Sequence, residues 1–432
     1  MRLAVACTAV AAALLLVFHE ATYDPTAWLI WGRQLAGGTL DTVGGPTWKP
    51  LPVLLTTPFS LAGESGAMWL WLVVARVGGL LSLIVAYRLA ARLGGSRVAG
   101  VVAAVALLLA AEYQLNWLRG NSEGLLVMFS LLAVLRHLDG HRRQAFGCAA
   151  AAALMRPDVW PLFGLYGLWL LWRARDLRTA ALVFGAGGAV LASWLVPEYI
   201  GSGDFFRGVT RAQEVVPGSP ASADRAFFGV FANGAQSLSY GVYAGAVLSL
   251  VVALRDRRLA ALAAGATMLM CVVAAGATGP GFTGSLRYVT LPASLVCVLS
   301  GVGWAWLAGR LRGRARVGLA VAALAAVPGV ALSVDRYGED VDRAYATDRR
   351  LSALPGFIER AGREEILGCG RLYTGPFSTQ VVAYRLDILQ RDVGIRPAAP
   401  GTILDATDSP LEGSPGFVRK LRESQWTLQS TC

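Results

Sequence analysis

The sequence predicts an all-α polytopic membrane protein with about eleven transmembrane helices, followed by a small α+β extracytoplasmic C-terminal domain. Of its 432 residues, 55% are hydrophobic and only 16% are charged, whereas about a quarter of the residues in a soluble domain are charged. The charged residues are concentrated between long apolar runs, and arginines cluster in every second connection between those runs. Both patterns are typical of a chain whose solvent is a lipid bilayer.

The apolar runs are interpreted as the membrane helices. The first, Leu3–Phe18, is taken as a retained helix because no small-x-small cleavage site follows it. Several runs are shorter than the ~20 residues that span a bilayer unaided, but short helices are tolerated where helices pack together. The remaining runs are Gly66–Ala90, Val98–Glu112, Glu123–Leu135, Ala145–Met155, Val159–Trp172, Thr179–Val196, Leu238–Leu254, Leu259–Ala277, Tyr288–Ala308 and Val317–Val334.

The arginine clusters predict the orientation. By the positive-inside rule, the connections that carry them are cytoplasmic. The N-terminus is therefore expected inside the cell and the C-terminus outside it, with longer outer loops at residues 19–65 and 197–237. Because the basic residues are topology signals in this pattern, the net charge of +11 does not indicate a nucleic-acid partner. The clusters are Arg2, Arg88/Arg92/Arg97, Arg136/Arg142/Arg143, Arg173/Arg175/Arg178, Arg255/Arg257/Arg258 and Arg310/Arg312/Arg314/Arg316.

The chain divides into a membrane domain, residues 1–333, and an extracytoplasmic domain, residues 334–432. In the first outer loop, the spacing of Trp28, Leu29, Trp31 and Leu35 predicts an amphipathic helix over Thr26–Leu35 that lies in the membrane interface. The C-terminal region alternates helical and strand-like stretches with Gly/Pro turns. Outside the cytoplasm, a disulfide between Cys369 and Cys432 is permitted.

Three carboxylates at the outer ends of helices are candidate catalytic groups, because burying a charge near lipid is costly. Glu20 and Asp24 follow the first helix and would share a helix face at their spacing of four. The alternative for this pair is a solvated helix end. Glu123 opens the fourth helix directly after Ser122, and helix capping by Ser122 with an acid in the first turn is an equally direct explanation.

The basic candidates also lie at the outer edge. Arg156 and Asp158 flank Pro157 between two apolar runs, where they either bind substrate or form a structural ion pair. Arg287 and Tyr288 open the tenth helix, as an interfacial anchor or as a phosphate clamp. Lys49, one of only two lysines, is a candidate phosphate contact or a solvated loop residue. Arg76, inside an apolar run, is expected to pair with an acid.

Together these positions resemble the GT-C-type membrane glycosyltransferases, which use a lipid-phosphate-linked sugar at the outer face of the membrane. The resemblance covers roughly residues 1–333, and the acids of the first outer loop stand four apart instead of close together as in the commonest form. The resembling segments are Glu20 to Asp24 with Trp28–Leu35, Gly45–Val53, Arg119–Glu123, Leu154–Asp158, Gly201–Asp204 and Arg287–Tyr288.

The resemblance implies sugar transfer from a polyprenyl-phosphate donor to an extracytoplasmic glycan, lipid or protein acceptor. Asp24 is the favoured general base, with Glu20 or Glu123 assisting. Lys49, Arg287 and Arg156 are the candidates to stabilise the leaving phosphate, and Asp158 and Tyr288 complete the predicted substrate site. His19 beside Glu20 and Asp24 is a weak metal signal, so a divalent cation is possible and its ligands are unknown.

Two other classes of protein were considered. A transporter or lipid flippase also combines many helices with intramembrane charges, but it predicts internal repeats and helices broken near the midplane, and no convincing repeat is found. A non-enzymatic membrane scaffold leaves the acids and arginines at the outer edge without a role.

Overall fold

The computed structural model describes residues 2–214, 226–276, 286–311, 327–407 and 409–432. Most of this chain is helical, and one five-stranded sheet lies near the C-terminus. The helices of the membrane domain are α1 (Arg2–Ala13), α2 (Tyr23–Gly37), α3 (Pro50–Phe59), α4 (Gly63–Gly94), α5 (Arg97–Leu108), α6 (Tyr113–Leu118), α7 (Glu123–Leu138), α8 (Arg142–Ala153), α9 (Trp160–Ala174), α10 (Leu177–Ser202), α11 (Arg207–Gln213), α12 (Ala226–Ser237), α13 (Tyr240–Ala253), α14 (Arg257–Gly276) and α15 (Thr290–Arg310).

The apolar runs that fall on described residues are helical, and the last one, Val317–Val334, lies mostly outside those residues. Four helical segments are long and apolar enough to cross a membrane, or five if a pair bent by 97° is one span. The chain is therefore a multi-pass membrane protein, while the total of eleven spans stays a prediction. The segments are Pro50–Gly94, Leu177–Ser202, Arg257–Gly276 and Leu286–Arg310, and the bent pair is Phe227–Ser237 with Tyr240–Ala253.

Close packing of α4 against α7 fixes the centre of the membrane domain. A Cβ on Gly79 of α4 would lie 2.2 Å from the ring of Trp117, and one on Gly124 of α7 would lie 2.6 Å from the backbone nitrogen of Gly79. Small residues at such a crossing let two helix backbones approach closely in a membrane. The crossing places Gly124, and with it the first residue of α7, Glu123, beside the middle of α4.

The predicted interfacial helix exists, but it is not at the lipid surface. It extends over Tyr23–Gly37, and nearly every residue from Pro25 to Gly32 is buried. Trp28 packs edge to face on Trp71 with 5.4 Å between ring centroids, and its carbonyl accepts a hydrogen bond from Thr56 Oγ1 at 2.8 Å. The amphipathic interpretation was wrong, because the helix packs both on α3 and on the helix Thr379–Leu386 of the C-terminal domain.

The C-terminal region is the α+β unit that the sequence predicts. Strands β2, β1 and β3 are parallel, and β5 and β4 continue the sheet antiparallel, in the order β2-β1-β3-β5-β4. The elements are α16 (Val327–Ala361), α17 (Arg363–Leu367), β1 (Arg371–Tyr373), α18 (Thr379–Leu386), β2 (Val393–Gly394), β3 (Gly401–Ala406), β4 (Val418–Arg422) and β5 (Trp426–Ser430). Helix α16 runs through the predicted domain boundary at residue 334 without a break.

The predicted disulfide between Cys369 and Cys432 is present. It joins the residue two positions before β1 to the end of β5, across 63 residues of sequence. The bond therefore closes the whole sheet into one covalent loop.

Removing this bond should destabilise the C-terminal domain. Replacing Cys369 and Cys432 together by serine is expected to lower its stability by about 2–5 kcal/mol, because the unfolded loop gains conformational freedom. Thermal unfolding of the purified protein, with and without reductant, measures the change. Cys271→Ser, at an exposed free cysteine, is the matched control. An equal melting temperature for wild type and double mutant would contradict the expectation.

Candidate active site

Arg287 joins two carboxylates that are far apart in the sequence. Its Nη2 lies 2.8 Å from Asp24 Oδ2, and its Nε lies 2.9 Å from Glu123 Oε1. The side chains of Arg287 and Asp24 are 27% and 18% exposed, whereas that of Glu123 is 1% exposed. Three of the sequence-predicted site residues therefore meet at one point, with Arg287 and Asp24 accessible and Glu123 enclosed.

Helix ends position all three groups. Asp24 lies in the first turn of α2, Glu123 is the first residue of α7, and Arg287 lies in the single 3-10 turn Leu286–Val289 that leads into α15. Carboxylates are favoured in the first turn of a helix because the N-terminus carries partial positive charge. The predicted cap by Ser122 is not formed, since Ser122 makes no side-chain bond to the helix.

Ser122 instead accepts a hydrogen bond from Lys49. The Lys49 ammonium lies 3.3 Å from Ser122 Oγ and 5.0 Å from the centroid of the Trp28 ring, so it makes a cation–π contact as well. Burial lowers the pKa of Lys49 below the ordinary lysine value, although Glu123 and Asp24 act in the opposite direction. Lys49 is thus a partly buried cation of this cluster and not a solvated loop residue.

Arg156 supports the position of Arg287. Its Nε lies 2.9 Å from Asp158 Oδ1, which is the ion pair that the sequence offered as one alternative. Its Nη1 donates to the backbone carbonyl of Arg287 at 2.9 Å, and its guanidinium lies 4.9 Å from the centroid of the Tyr288 ring. Arg156, Asp158 and Tyr288 therefore surround the turn that carries Arg287.

The cluster is balanced in charge and keeps acceptor capacity. Burial by itself raises the pKa of Asp24, but Arg287 and Lys49 outweigh it and hold that pKa below its ordinary value. Within the described chain, one buried oxygen of Glu123 and one of Asp158 have no hydrogen-bond partner. The cluster contains three acids, Asp24, Glu123 and Asp158, and three bases, Lys49, Arg156 and Arg287.

Glu20 lies outside this cluster. Both of its carboxylate oxygens accept hydrogen bonds from Arg385 Nη2, at 2.7 and 2.8 Å, and both side chains are less than 10% exposed. The backbone nitrogens of His19 and Glu20 donate to Asp348 Oδ1 at 3.1 and 3.0 Å. The structure therefore uses Glu20 to attach the C-terminal domain to the start of the first outer loop.

Arg385 and Arg207 are the important residues that sequence reasoning missed. Arg207 Nη1 and Nη2 donate to the carbonyl oxygens of Pro46, at 2.8 Å, and Gly45, at 2.9 Å. These bonds hold the loop that leads to Lys49. Arg76, which was expected to pair with an acid, instead donates to the backbone carbonyls of Leu118 and Phe18. Both carbonyls lie at helix ends, where they have no partner within the helix and can accept hydrogen bonds from Arg76.

The possible divalent cation stays a prediction. Among the described residues, no group of three or more His, Cys, Asp and Glu side chains is placed to hold a metal ion. His19 lies 3.5 Å from Asp348, and the two acids nearest the centre of the cluster each bind Arg287. The described carboxylates and imidazoles therefore do not fit a cation site by themselves.

Comparison with known proteins gives a family and a fold. The sequence model of Glycosyltransferase family 87 matches residues 47–278, and a search of curated proteins returned no match. ArnT from Cupriavidus metallidurans, solved with undecaprenyl phosphate, is similar with a TM-score of 0.58 and 15% identity, covering 100% of this chain and 97% of that one. The apo form of ArnT gives 0.59 and 16%, with the same coverage.

A third similar structure is the Archaeoglobus fulgidus oligosaccharyltransferase tethered to an acceptor peptide that contains the NVT sequon. Its TM-score is 0.50 at 10% identity, and the match covers 91% of this chain but only 64% of that one. At these identities the three structures establish a shared fold. They bear out the GT-C resemblance of the membrane domain.

The pairing of Glu20 with Arg385 predicts a structural role for Glu20, and mutation can distinguish this role from catalysis by Glu20. Arg385→Gln should lower stability by about 3 kcal/mol, because it leaves the buried Glu20 carboxylate without its partner. Glu20→Gln should lower stability by less, because Arg385 keeps its ion pair with Glu64. The double mutant should be more stable than the sum of the single changes predicts. Thermal unfolding measures the cycle.

Arg33→Gln is the control for this cycle, because its pair with Asp387 is exposed and should contribute little. If Glu20 were the general base, Glu20→Gln would abolish transfer at unchanged stability. The double mutant would then recover nothing.

Proposed function

The chain belongs to glycosyltransferase family 87 and is a membrane glycosyltransferase of the GT-C type, and we propose that it transfers a sugar from a polyprenyl-phosphate donor to an extracytoplasmic acceptor. One observation carries this proposal: Arg287 holds Asp24 and Glu123 in one partly open cluster with Lys49 beside them. A base and two cations at one place are what displacement of a phosphate by a hydroxyl requires.

Asp24 is the proposed general base. The acceptor oxygen forms a bond to the anomeric carbon, and its proton passes to the Asp24 carboxylate. The bond between the anomeric carbon and the phosphate oxygen breaks, and the lipid phosphate leaves with the electron pair. The lowered pKa of Asp24 keeps it ionised at neutral pH, so it is ready to accept the proton.

Arg287 and Lys49 are proposed to stabilise the leaving phosphate. A guanidinium can bind two phosphate oxygens at once, and an ammonium acts as a point charge. Arg287 is partly exposed, and its bond to the enclosed Glu123 keeps it in place when a phosphate competes for the Asp24 side. Glu123 is thus a positioning residue here, and Arg156 with Asp158 fixes the backbone of the same turn.

The sidedness and the partners belong to the proposal as well. A disulfide in the C-terminal domain favours a location of that domain outside the cytoplasm. The proposal also includes an N-terminus inside the cell, eleven spans and a domain boundary near residue 334. The undecaprenyl phosphate of the similar ArnT structure supports a lipid-linked donor. The acceptor peptide of the similar oligosaccharyltransferase supports an acceptor outside the cytoplasm. Family membership favours this enzyme over a transporter or flippase.

Asp24→Asn tests the base. Asparagine keeps an oxygen for Arg287 but cannot take a proton, so transfer should fall by at least about a hundredfold. The assay follows a labelled sugar from polyprenyl phosphate in reconstituted membranes. Asp387→Asn, at an acid that pairs on the surface with Arg33, is the control and should keep full activity. Unchanged transfer in Asp24→Asn rules out this base, and solute uptake without any transfer favours the transporter.

Lys49 should set the alkaline limit of activity. Because the pKa of Lys49 is lowered, its ammonium loses the proton at a lower pH than an ordinary lysine, and phosphate binding weakens there. Lys49→Arg should move this limit to higher pH, since guanidinium stays charged. Rates of transfer between neutral and strongly alkaline pH measure the shift. An alkaline limit that is the same in both proteins means that another group titrates.

A further inference from the structure

Two neighbouring cavities lie where the C-terminal domain faces the first outer loop. One has a volume of about 440 Å³ and is lined by Tyr23, by the loop at residues 43–45, by α11 and by the edge of the sheet. The other has a volume of about 520 Å³ and lies within the C-terminal domain. Arg371 and Arg391 line both, so the two form one groove, and each volume is typical of a ligand site.

Arginines dominate the part of this groove that faces the loop. Four of them line the first cavity, against the two carboxylates Asp204 and Glu214. Three of the four are near an acid: Arg207 near Glu198, Arg211 near Glu214 and Arg391 near Asp41.

Arg371 differs from the other three arginines. Its Nη2 donates to the backbone carbonyl of Arg391 at 2.8 Å, and no carboxylate of the described chain lies within salt-bridge distance of it. The neutral acceptor fixes the guanidinium at the junction of the two cavities and leaves its positive charge without a matching acid. A fixed, exposed guanidinium is suited to bidentate binding of a phosphate or carboxylate.

The same cavity offers acceptors for hydroxyl groups. Gln380 and Gln390 line it and are 1% and 3% exposed. Each has a buried side-chain carbonyl oxygen that lacks a hydrogen-bond partner within the described ranges. A buried oxygen without a partner is unfavourable, so an O–H donor that reaches it gains a bond. Sugars supply such donors at high density.

We propose that this groove binds the acceptor, and that the acceptor is a glycan that carries an anionic group, phosphate or carboxylate, held by Arg371. Tyr23 lines the groove and precedes Asp24, so the groove borders the first turn of α2, which carries the proposed base. This inference rests on the proposed function and adds the chemical class of the acceptor to it.

Binding without turnover tests the inference. The full-length protein in nanodiscs of neutral lipid is titrated with three fluorescent probes: maltohexaose, phosphorylated maltohexaose and hexagalacturonate. The anionic probe that matches the natural group should bind at least about tenfold more tightly than maltohexaose, which corresponds to about 1.4 kcal/mol. The phosphate and uronate arms distinguish the two sources of charge.

Variants of Arg371 test whether this residue causes the preference for anionic probes. Arg371→Gln should remove the anionic preference, and Arg371→Lys should retain part of it because the charge remains. Arg363→Gln is the matched control, at an exposed arginine of the same domain that lines neither cavity. Melting temperatures confirm that each variant is folded.

Two results overturn the inference: equal affinity for neutral and anionic probes, or an anionic preference that survives Arg371→Gln. Asp24→Asn should bind the probes as the wild type does, because the base is not needed for binding. Failure of the proposed function has a separate signature, which is probe binding that depends on Arg371 without transfer from any lipid-linked sugar.

Discussion

The pairing of Arg287 with Asp24 and Glu123 is the constraint around which the membrane domain is arranged. Charges near lipid are tolerated when they are paired with opposite charges, so the first turns of α2 and α7 and the turn before α15 must meet. The glycine contacts between α4 and α7 permit the close crossing that places Glu123. Arg156 completes the arrangement, since it holds the peptide carbonyl of Arg287 and so fixes the backbone as well as the side chain.

The C-terminal domain contributes to the same arrangement of helices. Arg385 and Asp348 hold the segment that precedes α2, and Arg391 holds Asp41 in the loop that follows α2. Both ends of the helix that carries Asp24 are therefore attached to this domain. This attachment helps to bury α2, because α18 and the turn next to it cover the face of α2 on the side of the C-terminal domain. Without this domain, the face of α2 that packs on α18 would be exposed, while Trp28 and Trp31 would keep their contacts with Trp71 and Trp48.

The sequence predicted the charged cluster around Arg287 better than its surroundings. Asp24, Lys49, Glu123 and Arg287 were recognisable because charges are rare in apolar sequence and each must have a reason. Arg385 and Arg371 were not recognisable, since arginine is ordinary in a water-exposed domain. The burial of α2 depends on residues more than three hundred positions away, which periodicity cannot detect. The helical runs and the α+β tail were predicted correctly, whereas helix length alone supports only four or five of the eleven spans.

Tyr23 and Asp24 are the first two residues of α2, yet they belong to different sites. Tyr23 borders the groove between the domains, and Asp24 binds Arg287. A single peptide unit therefore connects the lining of the groove to the carboxylate that binds Arg287. If the groove holds the acceptor as proposed, this one turn of helix lies next to both the acceptor and the phosphate of the donor.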